Sequence, residues 1–221
     1  MITAQILSHV DHTLLTATAT WPQIETLCQE AIQYHTASVC IPPCYIGRVR
    51  QAFGDQITIC TVVGFPLGYA VTAAKVEEVR QAVADGVDEI DMVINISDMK
   101  NHDYQKVQQE IAVLRAACPD QCLKVIIETC YLTEEEKIAA CGAVAAAGAD
   151  YIKTSTGFGT AGATLEDIHL FREHIGPQVK IKAAGGIRSI ADMAAFLEAG
   201  ADRLGTSSAI RLIEGEEARG Y

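Results

Sequence analysis

The sequence predicts a single-domain (β/α)8 TIM barrel over residues 1–221, and three observations point to it. Strand-like and helix-like segments alternate from end to end, which implies a parallel sheet covered by helices. A short signature recurs where a helix hands over to a strand: Gly86-Val87-Asp88, Gly148-Ala149-Asp150 and Gly200-Ala201-Asp202, a degenerate βα repeat. An open doubly wound sheet usually carries a Gly-x-Gly-x-x-Gly turn or a P-loop after its first strand, and this sequence has neither. Eight units in 221 residues suit a compact closed ring.

The elements follow in order. The first strand, 10–13, is faint, and a helix over 21–34 follows it. The second unit pairs strand 37–41 with helix 45–53. The third pairs strand 57–63 with helix 73–84, which Gly86 closes. The fourth joins strand 89–95 to helix 103–117. The fifth runs from strand 123–129 to helix 134–147. Thr133 and Glu136 form a capping box at its start and Gly148 ends it. In the sixth, strand 151–155 precedes helix 165–174, with Thr164 and Asp167 at the cap and Gly176 past the end. The seventh has strand 179–183, the cap Ser189 with Asp192, helix 190–198 and Gly200. Strand 203–207 and a short helix, 209–217, complete the set. No linker-like run interrupts the series.

Apolar residues make up 49% of the chain and aromatics only 6%, a mix rich in the aliphatics that fill buried parallel strands. The formal net charge of −11 opposes binding to nucleic acid or anionic membranes, so a phosphorylated ligand needs a local site. No run approaches the ~20 apolar residues of a membrane helix. The start lacks the basic and apolar regions of a signal peptide, and a cytoplasmic protein is expected. The eight cysteines include no Cys-x-x-Cys pair, so reduced thiols and no metal centre are expected. The six histidines are scattered, which also speaks against a metal-dependent enzyme.

Alternation along each strand assigns the interior. Ile90, Met92 and Ile94 should face helices, which turns Glu89, Asp91, Val93 and Asn95 inward. The same parity sends Lys124, Glu128, Lys153, Ser155, Lys180 and Lys182 inside. Charged groups are seldom buried unless paired or functional. Internal ion pairs account equally well for Glu89, Lys124 and Lys180. Lys153 and Lys182 stand apart, because both lie near C-terminal strand ends, where barrel active sites sit. Thr154-Ser155-Thr156-Gly157 and Ala183-Ala184-Gly185-Gly186 follow them and leave room for a ligand.

An amine is nucleophilic only when neutral, and lysine ordinarily holds its proton up to about pH 10.4. Burial and a second cation both favour the neutral form. A neutral Lys153 or Lys182 could attack an aldehyde to give an imine, an electron sink that allows a carbon–carbon bond to break without a metal. Asp91 could shuttle protons nearby. Gly185-Gly186-Ile187-Arg188-Ser189 and Gly205-Thr206-Ser207-Ser208 occupy the loops after strands 7 and 8, the usual phosphate site of this fold.

At these residues the sequence resembles the deoxyribose-phosphate aldolase family over nearly its whole length. The resemblance is carried by Val10-Asp11-His12-Thr13-Leu14-Leu15, by Val62 to Gly68, by Glu89-Ile90-Asp91-Met92-Val93, by Lys153-Thr154-Ser155-Thr156-Gly157 and by Lys182 to Arg188. It implies reversible cleavage of 2-deoxy-D-ribose 5-phosphate to acetaldehyde and D-glyceraldehyde 3-phosphate, without a cofactor. It implies that Lys153 forms the imine, that Lys182 lowers the pKa of Lys153 and joins proton transfer, and that Asp91 acts with Lys182 and a water. Gly185, Gly186, Ser207 and Ser208 would hold the phosphate, with Gly205, Thr156 and Arg188 beside them. Cys40 and Thr13 would line the pocket. Phe158 stands where some members carry a lysine, which shifts weight to Arg188. Tyr221 would reach into the site from the C-terminus and assist protonation. The resemblance also suggests a homodimer or higher oligomer. Another lysine-dependent phosphosugar lyase, a non-catalytic phosphosugar-binding barrel and an isomerase using Asp91 as base are the competing readings.

Overall fold

The computed structural model describes residues 3–217. A short helix, α1 (Thr3–Leu7), buries Ile6 and Leu7 and leads into β1 (Val10–Thr13). There follow α2 (Trp21–Tyr34), β2 (Ser38–Cys40), α3 (Ile46–Phe53), β3 (Ile59–Val63), α4 (Thr72–Ala84) and β4 (Glu89–Val93). Then come α5 (Ile96–Lys100), α6 (Tyr104–Ala117), β5 (Cys122–Ile126), α7 (Glu134–Ala146), β6 (Tyr151–Lys153) and α8 (Leu165–His174). The described chain finishes with β7 (Lys180–Ala184), α9 (Ile190–Glu198), β8 (Arg203–Thr206) and α10 (Ala209–Ile213). All eight strands are parallel and close in sequence order, with Val10 opposite Leu204 and His12 opposite Thr206 at the seam.

The main core lies between the ring and its helices. Ile90, Met92, Ile94, Ile152, Ile181 and Leu204 face outward into it and are wholly buried, as alternation required. Helices supply matching stripes: α2 buries Ile24, Leu27, Cys28 and Ala31, spaced three or four apart. Inside the ring the packing is different. A small apolar cluster there joins Cys40, Cys60 and Val62 to Leu15 and Phe65, and charged side chains fill much of the rest.

The Gly-x-Asp repeat has a mechanism. Asp88, Asp150 and Asp202 each accept a hydrogen bond from a backbone N–H at the start of the preceding strand, at Ile59, Leu123 and Ile181 (2.7, 2.8 and 2.9 Å). Each also pairs with an arginine of a preceding helix, Arg50, Arg115 or Arg172, at 2.6–2.7 Å. Three of the eight strands are thus pinned at the end opposite the pocket. The caps behave as their sequences imply. Thr133, Thr164 and Ser189 accept from Glu136, Asp167 and Asp192 backbone N–H groups. Gly86, Gly148, Gly176 and Gly200 all take positive φ just past helix ends.

Several boundaries differ from expectation. Strand 123–129 ends at Ile126, because Glu128 is left-handed (φ 54°) and a one-turn 3-10 helix, Thr129–Tyr131, follows. Strand 151–155 ends at Lys153, and the last helix stops at Ile213 ahead of Gly215 (φ 83°). The α1 and α5 helices, five residues each, are too short to show a period in sequence. Lys180 keeps its inward parity but lies exposed at the N-terminal mouth, 5.6 Å from the Tyr151 ring centre, and takes no part in the internal network.

Candidate active site

A pocket of about 390 Å³ opens at the C-terminal ends of the strands. Thr13, Thr156, Gly185, Gly186, Arg188, Gly205, Ser207 and Ser208 all stand in its wall, and Lys153 is its only lysine. Gly185 and Gly186 take left-handed φ (79° and 72°), so the β7–α9 loop can turn its backbone toward the pocket. One N–H at that turn is already engaged, since Arg188 donates from its backbone to Asp192 (3.0 Å).

Beneath the pocket, inward-facing side chains from six strands form one ionic network. Lys153 and Lys182 are register partners across β6 and β7. Both donate to the same oxygen of Asp91, at 2.8 and 2.6 Å. Lys182 also pairs with Asp11. The other Asp91 oxygen accepts from Lys124 (2.9 Å) and from the Cys60 thiol (3.2 Å). Lys124 pairs further with Glu89 (2.6 Å), and Arg203 bridges Asp11 (2.5 Å) and Glu89 (3.2 Å). Ser38 donates its hydroxyl to Asp11 (2.7 Å).

Three carboxylates therefore face four cations. Burial favours the neutral form of a charged group, but for Asp91, Asp11, Lys182 and Lys124 the neighbouring charges decide otherwise. Burial would raise the Asp91 carboxyl, yet Lys124, Lys153 and Lys182 together hold it well below the usual carboxylate range. The same contest with Lys182, Lys124 and Arg203 leaves Asp11 lowered. Burial would strip the proton from Lys182, but Asp11 and Asp91 raise its affinity for it. Lys124 is raised against burial by Asp91, Cys60, Asp11 and Glu89.

Among the four cations, Lys153 differs twice. It holds one carboxylate where Lys182 and Arg203 hold two and Lys124 holds three. It is also the one that reaches the pocket wall. Asp91 and Lys182 are fully buried and act on the pocket only through it. Cys40, expected in the wall, instead lies just beneath it at 1% exposure. A hydrogen bond with Cys60, reinforced by the Lys182 charge, lowers the Cys40 thiol against burial.

Sequence parity did not single out Asp11, Ser38, Cys60 or Arg203. Each sits two residues before an inward residue of its own strand: Thr13, Cys40, Val62 and Gly205. That signal would have found them. Tyr221 lies outside the described residues. Phe158 packs edge-on against Phe65 (5.3 Å between ring centres), so its position contributes an aromatic pair and no charge. The sulfur and carboxylate atoms of Cys40, Cys60 and Asp91 come within 4.8 Å of one another, as do those of Asp11, Cys60 and Glu89. The carboxylates among them already accept from ammonium and guanidinium groups, so a metal ion would meet three or four fixed positive charges.

Glu128 is the one inward carboxyl outside this network. It is 2% exposed and has no ion pair among the described residues. It accepts from the backbone N–H of Thr156 (3.2 Å) and from the Thr156 hydroxyl.

Comparison with known proteins identifies the family. The family model for DeoC/LacD family aldolases matches residues 5–211. A deoxyribose-phosphate aldolase of Clostridium botulinum (strain Alaska E43 / Type E3) is 63% identical over all 221 residues, covering 100% of both chains. That of Clostridioides difficile (strain 630) is 56% identical over 98% of this chain and 99% of its own. Among solved structures, the deoxyribose phosphate aldolase from Aeropyrum pernix, described as a unique tetramer, superposes with a TM-score of 0.90. It is 30% identical, over 97% of this chain and 92% of its own.

Proposed function

The chain belongs to the DeoC/LacD family of aldolases, and from that premise we propose that it reversibly cleaves 2-deoxy-D-ribose 5-phosphate to acetaldehyde and D-glyceraldehyde 3-phosphate. It is an aldehyde-lyase that works through a lysine imine and needs no metal. One observation carries the assignment of the lysine: of the four cations in the network, Lys153 alone meets both the pocket and a carboxylate shared with Lys182.

The reaction begins with Lys153 as a free amine. Its proton is the surplus charge of the network, so its departure leaves three carboxylates matched by three cations. Lys182, held as an ammonium by Asp11 and Asp91, keeps a positive charge beside the developing iminium precursor. Lys153 attacks the aldehyde carbon, water leaves, and the protonated imine accepts the electrons of the C2–C3 bond. Asp91 orients both amines. Its carboxylate is too well stabilised to serve alone as a strong base, which narrows its part in proton transfer and weakens the isomerase reading. The phosphate rests on Gly185, Gly186, Ser207 and Ser208, with Arg188 and Gly205 alongside, and Thr13 and Thr156 flank the chain of carbons.

Trapping tests the assignment. Borohydride added with acetaldehyde should leave a two-carbon adduct on Lys153 in a peptide mass map. Lys153→Leu should lose both the adduct and turnover. A variant that still cleaves substrate at near wild-type rate refutes the role of Lys153. Ligand binding without any adduct in the parent protein favours a binding barrel instead.

We further place the protein in the cytoplasm as a homo-oligomer. All eight cysteines are free thiols, as a reducing compartment allows, and the Aeropyrum pernix relative is described as tetrameric. No helix of the described residues is long and apolar enough to cross a membrane.

A further inference from the structure

Cys40 and Cys60 are register partners on the neighbouring parallel strands β2 and β3. Both side chains face into the ring, in the small cluster with Val62, Leu15 and Phe65. Ladder bonds fix the two strands around them: Val39 donates to the Thr58 carbonyl (3.0 Å) and Ile41 to the Cys60 carbonyl (3.1 Å). Paired strands run about 4.8 Å apart, inside the Cα separation of about 4.4–6.8 Å that a disulfide spans. The two sulfurs and an Asp91 oxygen lie within 4.8 Å of one another. Thr13, the register partner of Cys40 on β1, stands in the pocket wall, and so does Leu15. The pair therefore borders the pocket from below, within reach of a molecule little larger than water.

Charge separates these two thiols from others in the chain. Burial pushes Cys28, Cys122 and Cys141 up to about 12 and also raises Cys118. Cys40 is lowered, by the Cys60 hydrogen bond and then by the Lys182 ammonium, against burial. Burial holds Cys60 well above the ordinary thiol range. One sulfur is thus suited to be the attacking thiolate, and its neighbour stays a thiol until it is needed.

We propose that Cys40 and Cys60 are a modification site for peroxides, closing to a reversible disulfide that slows turnover at the pocket above. The Cys40 thiolate attacks one peroxide oxygen and the O–O bond breaks. The hydroxide released takes up the proton that Cys40 gave off, which forms water and leaves Cys40 as a sulfenic acid. The Cys60 sulfur then attacks the Cys40 sulfur, the S–O bond breaks, and the departing hydroxide leaves as water with the Cys60 proton. Two thiols and one hydrogen peroxide become one disulfide and two waters. Register partners on one ladder must tilt to reach disulfide geometry, so the bond is strained and an external dithiol reopens it readily by exchange. Closing it draws the Cys60 sulfur away from Asp91 and Lys124, which it meets at 3.2 Å each. Asp91 then has one donor fewer and draws harder on the ammonium groups it faces, so Lys153 leaves it less readily to attack an aldehyde.

The test treats the whole protein with a small excess of hydrogen peroxide, blocks remaining thiols and maps peptides without reductant. A peptide pair joined through Cys40 and Cys60 should appear. The kcat for 2-deoxy-D-ribose 5-phosphate should fall at least fivefold as the joined pair accumulates, and dithiothreitol should reverse both. Cys44→Ser, which alters an exposed thiol away from the pair, should respond as the parent does. Cys60→Ala, compared with its own untreated activity, has no second thiol, so denaturing it in dimedone after peroxide should label Cys40. Joined peptides that involve only other cysteines, or a Cys40 that stays a free thiol throughout, would overturn the site. A complete Cys40–Cys60 link with kcat within about twofold of the untreated protein would overturn the control of turnover. The peptide map of the parent protein decides the site even if Cys60→Ala fails to fold. It is also independent of the aldolase reading, which fails separately if the untreated protein does not trap acetaldehyde.

Discussion

Lys124 touches neither solvent nor pocket, yet Glu89 and Asp91 both depend on it for charge balance. Removing one partner of a buried pair leaves an uncompensated charge, which costs roughly 3–5 kcal/mol. Lys124→Met should lose stability on that scale in urea denaturation while Lys153 remains in place. A loss below about 1 kcal/mol would mean that water enters the ring and screens the pair. Lys153 and Lys182 were legible because charge at an inward strand position is conspicuous. The same parity rule also flagged Glu128, Lys124 and Asp91. It did not tell which cation is poorest in counter-charges, and that distinction decides which amine reacts. The number of carboxylates around a lysine depends on Asp11 and Glu89, and a one-dimensional pattern gives no count of neighbours across a closed ring. Lys180 shows the converse: its parity is inward, but position along the strand leaves it in water.

Among the elements, the loops after β6 and β7 meet backbone to backbone. Ala163 donates to the carbonyls of Ala184 and Gly185, both at 3.1 Å, and a side chain on Gly162 would overlap the Gly185 carbonyl. Gly162→Ala should therefore push the Gly185–Gly186 turn out of position. KM for the phosphorylated substrate should rise at least tenfold, while kcat/KM for unphosphorylated 2-deoxyribose changes much less. Equal losses on both substrates would show that the turn serves the reaction centre and not the phosphate. The alternation of strands and helices was readable because seven helices announce themselves by caps, glycine stops or apolar period. Two of the three five-residue helices, α1 and α5, carry no such signal. The early end of β5 was hidden because the apolar run continues through Ile127, while the backbone at Glu128 turns for the sake of the Thr156 contact.

For the molecule as a whole, the ionic network sets a pH window. Asp11 and Asp91 are lowered by their cations, so their stabilisation is complete above the ordinary carboxylate range, near pH 4, and is lost only as pH falls through their depressed values. Lys124 and Lys182 are raised by their carboxylates, so their contribution is complete below about pH 10.4 and fades as pH climbs through their raised values. From these groups the urea midpoint should stay level between about pH 5 and 9, as equilibrium unfolding at several pH values would show. A midpoint that falls steeply near pH 6 would mean that histidines, not this network, govern stability.

The placement of charge along the chain has a further result. Asp11, Glu89 and Asp91 belong to the first half of the barrel, and Lys124, Lys153, Lys182 and Arg203 to the second. Neither half alone could tolerate its share of the network: one would hold only the network's acids, the other only its bases. Each needs the other as counterion, which favours one docked arrangement of two half-rings over any collapsed form of either.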